Sequence, residues 1–213
     1  MRLRQTILVQ TLIGAMVIMA LGIISVGITA PVRAQSGNLL QNPGFEGAFT
    51  SIGGDSTLQV ASGWQPWSIV SGGSSAINAR PDYKPAPANR VRSGSGAQEY
   101  GTFFSTHTGG VYQRVPVTPN TELRFSVNVY VWSSAPFDNP DVSESPNDVK
   151  VSVGIDPNGG TDGNSPNIVW SEPAEYYDEY RDISVAATAR SSAVTVFVRT
   201  VAGGNIGTSD VYL

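Results

Sequence analysis

Apolar and polar residues alternate along several stretches of the chain, which is typical of β-strands with one buried face. The apolar face of residues 123–132 carries Leu123, Phe125, Val127, Val129 and Val131. The opposite face carries Arg124, Ser126, Asn128, Tyr130 and Trp132. By the same pattern, further strands are predicted at residues 97–104, 111–117, 149–155, 183–187 and 193–200.

Turn sequences separate these strands, and no long segment repeats with the helical period. Examples are Pro119-Asn120 and Gly203-Gly204-Asn205. Short strands joined by turns, without helices between them, predict an all-β fold, an antiparallel β-sandwich of the jelly-roll kind. The longest irregular stretches, 71–95 and 133–148, are either binding loops or plain surface insertions.

The N-terminal segment has the features of a secretory signal peptide. Arg2 and Arg4 precede an apolar run over residues 7–30, and Val32-Arg33-Ala34 supplies small residues before a cleavage point. We predict cleavage after Ala34 and export to the cell envelope or the medium, with residues 35–213 as one domain. The alternative is an uncleaved membrane anchor, because the run is long enough to span a bilayer. No second run of that length appears, so no membrane association is expected after cleavage.

Composition narrows the possible functions. The chain of 213 residues has a formal charge of −4. The signal segment holds three arginines and no acid, which leaves ten basic against seventeen acidic residues, a charge of −7. This balance argues against nucleic-acid binding. The sequence has no cysteine, which excludes disulfides and thiol nucleophiles, and one histidine, which disfavours multi-histidine metal sites and Ser–His–Asp triads.

Several motifs resemble a known family in their order along the chain. They are Asn38-Leu39-Leu40-Gln41-Asn42-Pro43-Gly44-Phe45-Glu46-Gly47, Gly63-Trp64, Arg92-Ser93-Gly94 and Gly110-Val111-Tyr112-Gln113-Arg114-Val115. The chain thereby resembles secreted carbohydrate-binding modules with the galactose-binding-like β-sandwich fold, the CenC type associated with xylanases and cellulases. It looks especially like envelope or secreted bacterial proteins with one such module. The resemblance implies binding of a polysaccharide or cell-wall glycan, without catalysis.

The resemblance also implies a structural calcium ion. In the family, the glutamate that matches Glu46 helps to hold calcium between the first and last strands, and calcium takes oxygen ligands. The family's last strand usually carries paired aspartates, whereas this sequence ends at Asp210-Val211-Tyr212-Leu213. We therefore expect that the last strand is incomplete, that one calcium ligand is missing, and that a fused domain can follow.

Aromatic residues beside polar ones are the main candidates for sugar contact, because sugars offer apolar C–H faces and a rim of hydroxyls. The predicted carbohydrate-binding residues are Tyr130, Trp132, Arg124, Asn128, Trp67, Gln98 and Tyr100. Tyr130 and Trp132 share the outward face of one strand with Arg124 and Asn128. Gln98 and Tyr100 share a face of another. Together with Trp67, these residues are predicted to line one groove on an exposed sheet face. Core packing is the competing interpretation for Trp67.

Catalysis is not expected. His107 lies in a Ser- and Thr-rich segment, but no nucleophile elbow or orienting acid accompanies it, so we interpret it as a loop histidine that bonds to the backbone or to a ligand. A small glycoside hydrolase would need two carboxylates that flank a cleft, and the acidic residues show no such pairing in the sequence. The sequence therefore predicts an exported, non-catalytic carbohydrate-binding module. The alternatives are a structural or adhesion domain of the envelope without glycan affinity and, third, a small hydrolase.

Overall fold

Strands provide almost all of the regular structure in the part of the chain that the computed structural model describes, residues 37–71, 76–135 and 141–213. The strands within these residues are β1 Phe49–Ser51, β2 Gln59–Ala61, β3 Gln65–Ile69, β4 Asp82–Pro85, β5 Gln98–Phe103, β6 His107–Pro116, β7 Glu122–Ser134, β8 Val149–Asp156, β9 Val169–Trp170, β10 Ala174–Glu175, β11 Tyr180–Thr188, β12 Ala193–Ala202 and β13 Thr208–Tyr212. Two short 3-10 helices, Ile52–Gly54 and Ala88–Arg90, are the helices found in the same ranges.

Two antiparallel sheets face each other. Sheet 1 has the strand order β10-β8-β12-β6-β3, and β9 also pairs with β8. Sheet 2 has the order β11-β7-β13-β5-β4, and β1 and β2 form a separate hairpin. From β5 to β8, and again from β10 to β13, each strand lies in the opposite sheet from its predecessor, as in a jelly roll. The prediction of an all-β antiparallel sandwich is confirmed.

The six predicted strands all overlap observed ones, namely β5, β6, β7, β8, β11 and β12. The interpretation of residues 71–95 as irregular is wrong in part, because β4 lies within them. In β4 one inward aromatic residue, Tyr83, stands between Asp82 and Lys84, so the strand is too short to show an alternating apolar pattern. The predicted signal peptide, residues 1–34, lies outside the described residues. None of the described helices is long and apolar enough to cross a membrane.

The core lies between the sheets and is built from their inward-facing residues. In β8 these are Val149, Val151, Val153 and Ile155, each at most 1% exposed. They face the inward residues Val129 and Val131 of β7, which are fully buried. This confirms the apolar face predicted for residues 123–132.

A buried tyrosine joins the two sheets by hydrogen bonds. The hydroxyl of Tyr83, on β4 of sheet 2, lies 3.0 Å from the carbonyl oxygen of Trp67 and 2.9 Å from that of Gly110. Both carbonyls belong to sheet 1. The ring stacks on Tyr100 with 5.6 Å between centroids. Tyr83 therefore fixes the edge strand β4 against the opposite sheet.

Candidate functional site

A row of polar and aromatic side chains crosses the outer face of sheet 2. The register pairs Tyr180 with Tyr130, Tyr130 with Tyr212, Tyr212 with Glu99, and Glu99 with Lys84. The row thus runs through β11, β7, β13, β5 and β4. Directly opposite residues in neighbouring strands point to the same face of a sheet. The outer face therefore changes from aromatic at β11 to charged at β4.

A second row of directly opposite residues lies beside the first on the outer face of sheet 2. It pairs Trp132 with Asp210, Asp210 with Gly101, and Gly101 with Asp82. A Cβ atom at position 101 would lie 2.2 Å from Asp210 Oδ1. The carboxyl group of Asp210 therefore lies over Gly101, in space that any other residue there would fill.

The segment after β4 covers the first row. The guanidinium of Arg90 lies 4.8 Å from the ring centroid of Tyr130 and 5.9 Å from that of Tyr212. Arg90 Nη2 donates a hydrogen bond of 3.1 Å to the carbonyl of Asp141, and the hydroxyl of Tyr180 donates to the carbonyl of Arg90. These contacts hold the 3-10 helix Ala88–Arg90 across the sheet, with cation–π contacts beneath it.

A groove of about 590 Å³ remains between this segment and the second row, and we call it the outer-face groove. Its lining residues are Lys84, Pro85, Pro87, Asn89, Arg90, Glu99, Trp132, Asp141, Asp210 and Tyr212. A space of this size is in the range of small-molecule sites in proteins, about 300–1,000 Å³. The lining is mostly polar and includes both charge signs.

The electrostatics of the groove are set by two carboxyl groups. Glu99 is buried, and its Oε1 lies 2.9 Å from Lys84 Nζ. Burial raises the pKa of Glu99, while the hydrogen bond and charge of Lys84 oppose this increase. Burial and then the neighbouring Glu99 raise the pKa of Asp210 to about 7. The groove thus combines a lysine-paired carboxylate with a carboxyl group that retains its proton up to neutral pH.

Tyr130 and Trp132 lie on the outer face, as the alternation predicts, but neither forms an open platform. Trp132 is 4% exposed, so the expectation of a surface-exposed ring is wrong. The chain after β7 folds back on the end of this strand: Ser133 N donates to Ser143 Oγ, and Ala135 N to the carbonyl of Glu144. Tyr130 is half-buried beneath Arg90.

Gln98 and Tyr100 do share one face of a strand, but it is the inner face, and both are fully buried. Gln98 Oε1 accepts a hydrogen bond from Ala61 N, and Gln98 Nε2 donates to the carbonyl of Gln59. The hydroxyl of Tyr100 bonds to Thr200 Oγ1 at 2.7 Å. The assignment of these two residues to an exposed groove is therefore wrong. Glu99, between them, is the residue that faces outward.

Trp67 belongs to the other sheet, so it does not meet the remaining candidates. Its ring lies 5.9 Å from Phe197 and 6.4 Å from Trp170, and its Nε1 donates to the carbonyl of Val198. A Cβ at Gly163 would lie 2.2 Å from the ring, so the loop after β8 packs directly on it. Trp67 is part of a small aromatic cluster on the outside of sheet 1, and its assignment to the same groove is wrong.

Arg124 and Asn128 share the outer face of β7 with Tyr130 but lie outside the outer-face groove. Arg124 is exposed, its Nη2 donates to Ser184 Oγ at 2.9 Å, and it lies 4.0 Å from Asp182. Asn128 is half-buried and lines a separate, smaller depression near the beginning of the described chain.

The carboxylate of Glu46 is held within the protein by Ser95. It accepts hydrogen bonds from Ser95 N and Ser95 Oγ, and these bonds lower the pKa of Glu46. Within residues 37–71, 76–135 and 141–213, no group of three His, Cys, Asp or Glu side chains is placed to hold a metal ion. A calcium ion at Glu46 would compete with Ser95 for the carboxylate and would take its other ligands from carbonyl oxygens and water. The calcium site stays a prediction.

His107 is the first residue of β6, not a loop residue, and is fully buried. Its Nδ1 lies 2.8 Å from Thr102 Oγ1, and burial lowers its pKa to about 4. Its Nε2 has no hydrogen-bond partner among the described residues. The imidazole is therefore neutral and enclosed, away from the outer-face groove.

Several groove residues were missed by the sequence analysis: Lys84, Arg90, Glu99, Asp210 and Tyr212. The available signal was the period of two in Gln98-Glu99-Tyr100, which places Glu99 on the face opposite its neighbours. Arg90 could not be assigned in this way, because it lies in the segment that crosses the sheet and not in a strand.

Comparison with known proteins gives only distant similarity. No protein-family model and no curated protein matches the sequence. Among solved structures, the carbohydrate-binding module TmCBM61 in complex with β-1,4-galactotriose is 16% identical, over 83% of this chain and 94% of that chain, with a TM-score of 0.49. A cyclase from Fischerella sp. TAU is 14% identical over 81% and 91%, with a TM-score of 0.46. A CBM4 module is 10% identical over 81% and 94%, with a TM-score of 0.42.

Proposed function

We propose that this protein binds a glycan, without catalysis, in the outer-face groove. The observation that carries the proposal is the groove itself, whose lining combines Glu99, Asp210, Lys84 and Arg90 with Trp132 and Tyr212. Sugars are recognised by hydrogen bonds to their hydroxyls together with contact between their C–H faces and flat rings. The sequence resemblance to secreted carbohydrate-binding modules supports the same function.

The contact with the ligand is mainly polar. Trp132 and Tyr212 expose only 4% and 5% of their surface, which leaves little ring area for stacking. Lys84, with 61% of its side chain exposed, and the half-buried Arg90 and Asp210 provide accessible polar groups in the groove, and charged groups form stronger hydrogen bonds than neutral ones. Because a polar, wet groove must order a flexible sugar, we expect moderate affinity.

The experiment is a binding screen of the purified chain against xylan, β-glucan, cellulose, mannan and peptidoglycan. Asn89, at the rim of the groove, and Arg124, elsewhere on the same face, are both exposed. Asn89→Trp should obstruct the groove and reduce binding at least about tenfold, a change of roughly 1.4 kcal/mol. Arg124→Trp, the matched control, should bind as the parent protein does.

Other outcomes would favour the other functions. Equal binding by the parent protein and Asn89→Trp would place the ligand elsewhere on the molecule. A folded protein that binds no glycan would favour a structural or adhesion role in the envelope. Release of reducing sugar from a bound polysaccharide would indicate a hydrolase, for which two carboxyl groups beside the substrate are required.

Export, the class of glycan and calcium complete the proposed function. We propose that residues 1–34 direct export, that the ligand is a polysaccharide or cell-wall glycan, and that calcium binds at Glu46. Calcium should raise the melting temperature relative to a chelator, and Glu46→Gln should remove that difference. The same melting temperature in both conditions would reject the calcium site and leave glycan binding unaffected.

A further inference from the structure

Two carboxyl groups line the outer-face groove from neighbouring strands. Asp210 of β13 is directly opposite Gly101 of β5, and Glu99 is two residues before Gly101 on the same face. Diagonal neighbours of this kind are within about 7–8 Å of each other. The absence of a side chain at Gly101 leaves the space that the Asp210 carboxyl occupies.

In the described part of the chain, one cation lies at ion-pair distance from a carboxyl group of this pair. Lys84 Nζ lies 2.9 Å from Glu99 Oε1, while Asp210 forms no ion pair within 4.0 Å among the described residues. Two carboxylates so placed repel each other, and the pair holds a proton more readily than either group would alone. Because Lys84 stabilises the charge on Glu99, the proton belongs to Asp210.

The ionisation of the two groups agrees with this geometry. Burial and the charge of Glu99 raise the pKa of Asp210 to about 7, although Lys84, Tyr212 and Arg90 act in the opposite direction. The charged and titratable groups that face Asp210 from the surrounding elements are Asp82 and Lys84 of β4, Arg90 of the 3-10 helix, Glu99 of β5, Asp141 of the segment after β7, and Tyr212 of β13.

We propose that Asp210 is the specificity-determining residue of the outer-face groove, where its protonated carboxyl donates a hydrogen bond to a neutral sugar while Glu99 accepts one. The proposal rests on the proposed function of the groove. A neutral sugar hydroxyl can satisfy both groups, because it is at once a donor and an acceptor. A uronic acid would bring a further carboxylate next to Glu99. Lys84, the cation beside Glu99, is already paired with Glu99 and so does not neutralise the added charge. Loss of the proton from Asp210 leaves two carboxylates that can only accept.

Isothermal titration of neutral xylan and β-glucan, and of acidic polygalacturonate, at pH 5, 7 and 9 tests the proposal. The parent protein should prefer the neutral glycans, and its affinity should fall about tenfold between pH 5 and pH 9, the usual effect of losing one buried hydrogen bond. Asp210→Asn keeps a donor at the same place without a proton to lose. It should bind equally at all three values, whereas the exposed Asp182→Asn control should follow the parent protein.

Each other result would overturn the proposal. A parent protein whose affinity does not change with pH, an Asp210→Asn variant that keeps the parent's pH profile, or tighter binding of polygalacturonate would each reject the role of Asp210 and leave glycan binding intact. A carboxyl-carbon NMR titration of Asp210 needs no ligand. Ionisation near neutral pH supports a protonated Asp210 in the folded protein, and ionisation below pH 5 rejects it even if no glycan binds.

Discussion

The carboxyl group of Asp210 occupies the space over Gly101, the residue directly opposite it on β5. A Cβ at position 101 would lie 2.2 Å from Asp210 Oδ1 and 2.3 Å from the carbonyl oxygen of Ser209. The second of these atoms belongs to the backbone of the neighbouring strand and cannot move without disturbing the sheet. The depth of the outer-face groove and the position of its acid therefore both depend on one glycine.

Gly101→Ala should destabilise the protein by about 1–3 kcal/mol, the usual effect of an added carbon in a closely packed site. It should also weaken glycan binding by displacing Asp210. Urea unfolding measures the first effect and titration calorimetry the second. Gly44→Ala is the matched control: Gly44 is exposed, and the nearest atom to an added Cβ is Glu46 Cγ at 3.4 Å. A stable Gly101→Ala variant would contradict the close approach of β13.

Asp210→Asn should stabilise the protein at alkaline pH. The pKa of Asp210 rises from an ordinary value of 3.8 to about 7 in the folded state, so folding retains a proton that the unfolded chain releases. The contribution to stability is therefore lost as the pH rises from 3.8 to 7. Since Asp210 is only partly buried where it lines the groove, we expect the variant to exceed the parent protein by only about 1–3 kcal/mol at pH 9. Urea unfolding at pH 4 and pH 9 measures this difference, and an equal difference at both values would show that Asp210 is already ionised in the folded state.

Tyr83→Phe should cost about 1–3 kcal/mol of stability, because it removes the shared partner of two buried carbonyl groups, those of Trp67 and Gly110. Tyr212→Phe is a comparison on the outer face of sheet 2, where the hydroxyl interacts with Asp210 and Arg90, neither of which belongs to the opposite sheet. Urea unfolding of both variants at pH 7 is the measurement. A loss that is no larger for Tyr83→Phe than for Tyr212→Phe would mean that the bonds across the two sheets add little to stability.

The strands could be predicted from the sequence because their inward faces are aliphatic, and alternation with polar residues then fixes both the element and its buried side. Residues 123–132 and 149–155 are examples. Alternation does not identify the buried side of a strand where both faces are polar or aromatic. In Gln98-Glu99-Tyr100 the residue types do not indicate which face is buried. Gln98 can lie in the interior because its side-chain amide accepts a hydrogen bond from one backbone N–H and donates to three backbone carbonyls.

The groove was less predictable than the fold because its parts come from distant segments. Glu99 and Asp210 meet through strand pairing, and Arg90 reaches them from a segment with no periodic pattern. Trp132 has the outward position that the alternation predicts, yet only 4% of its surface is exposed. Position on a face is a local property of the sequence, whereas exposure depends on which segment crosses that face.

His107 should make the protein sensitive to acid. Burial lowers its pKa from 6.5 to about 4, so below pH 6.5 the unfolded chain binds a proton that the folded protein does not. The contribution of the neutral imidazole is present above pH 6.5 and is lost as the pH falls toward 4, by about 3 kcal/mol in total. Asp210 acts in the opposite direction over part of this range, so both proteins in the comparison should carry Asp210→Asn. In that background, urea unfolding between pH 7 and pH 4 should show a steep loss of stability for the protein with His107 and a smaller one for His107→Gln. Parallel losses in the two proteins would mean that His107 gains its proton without opening the core.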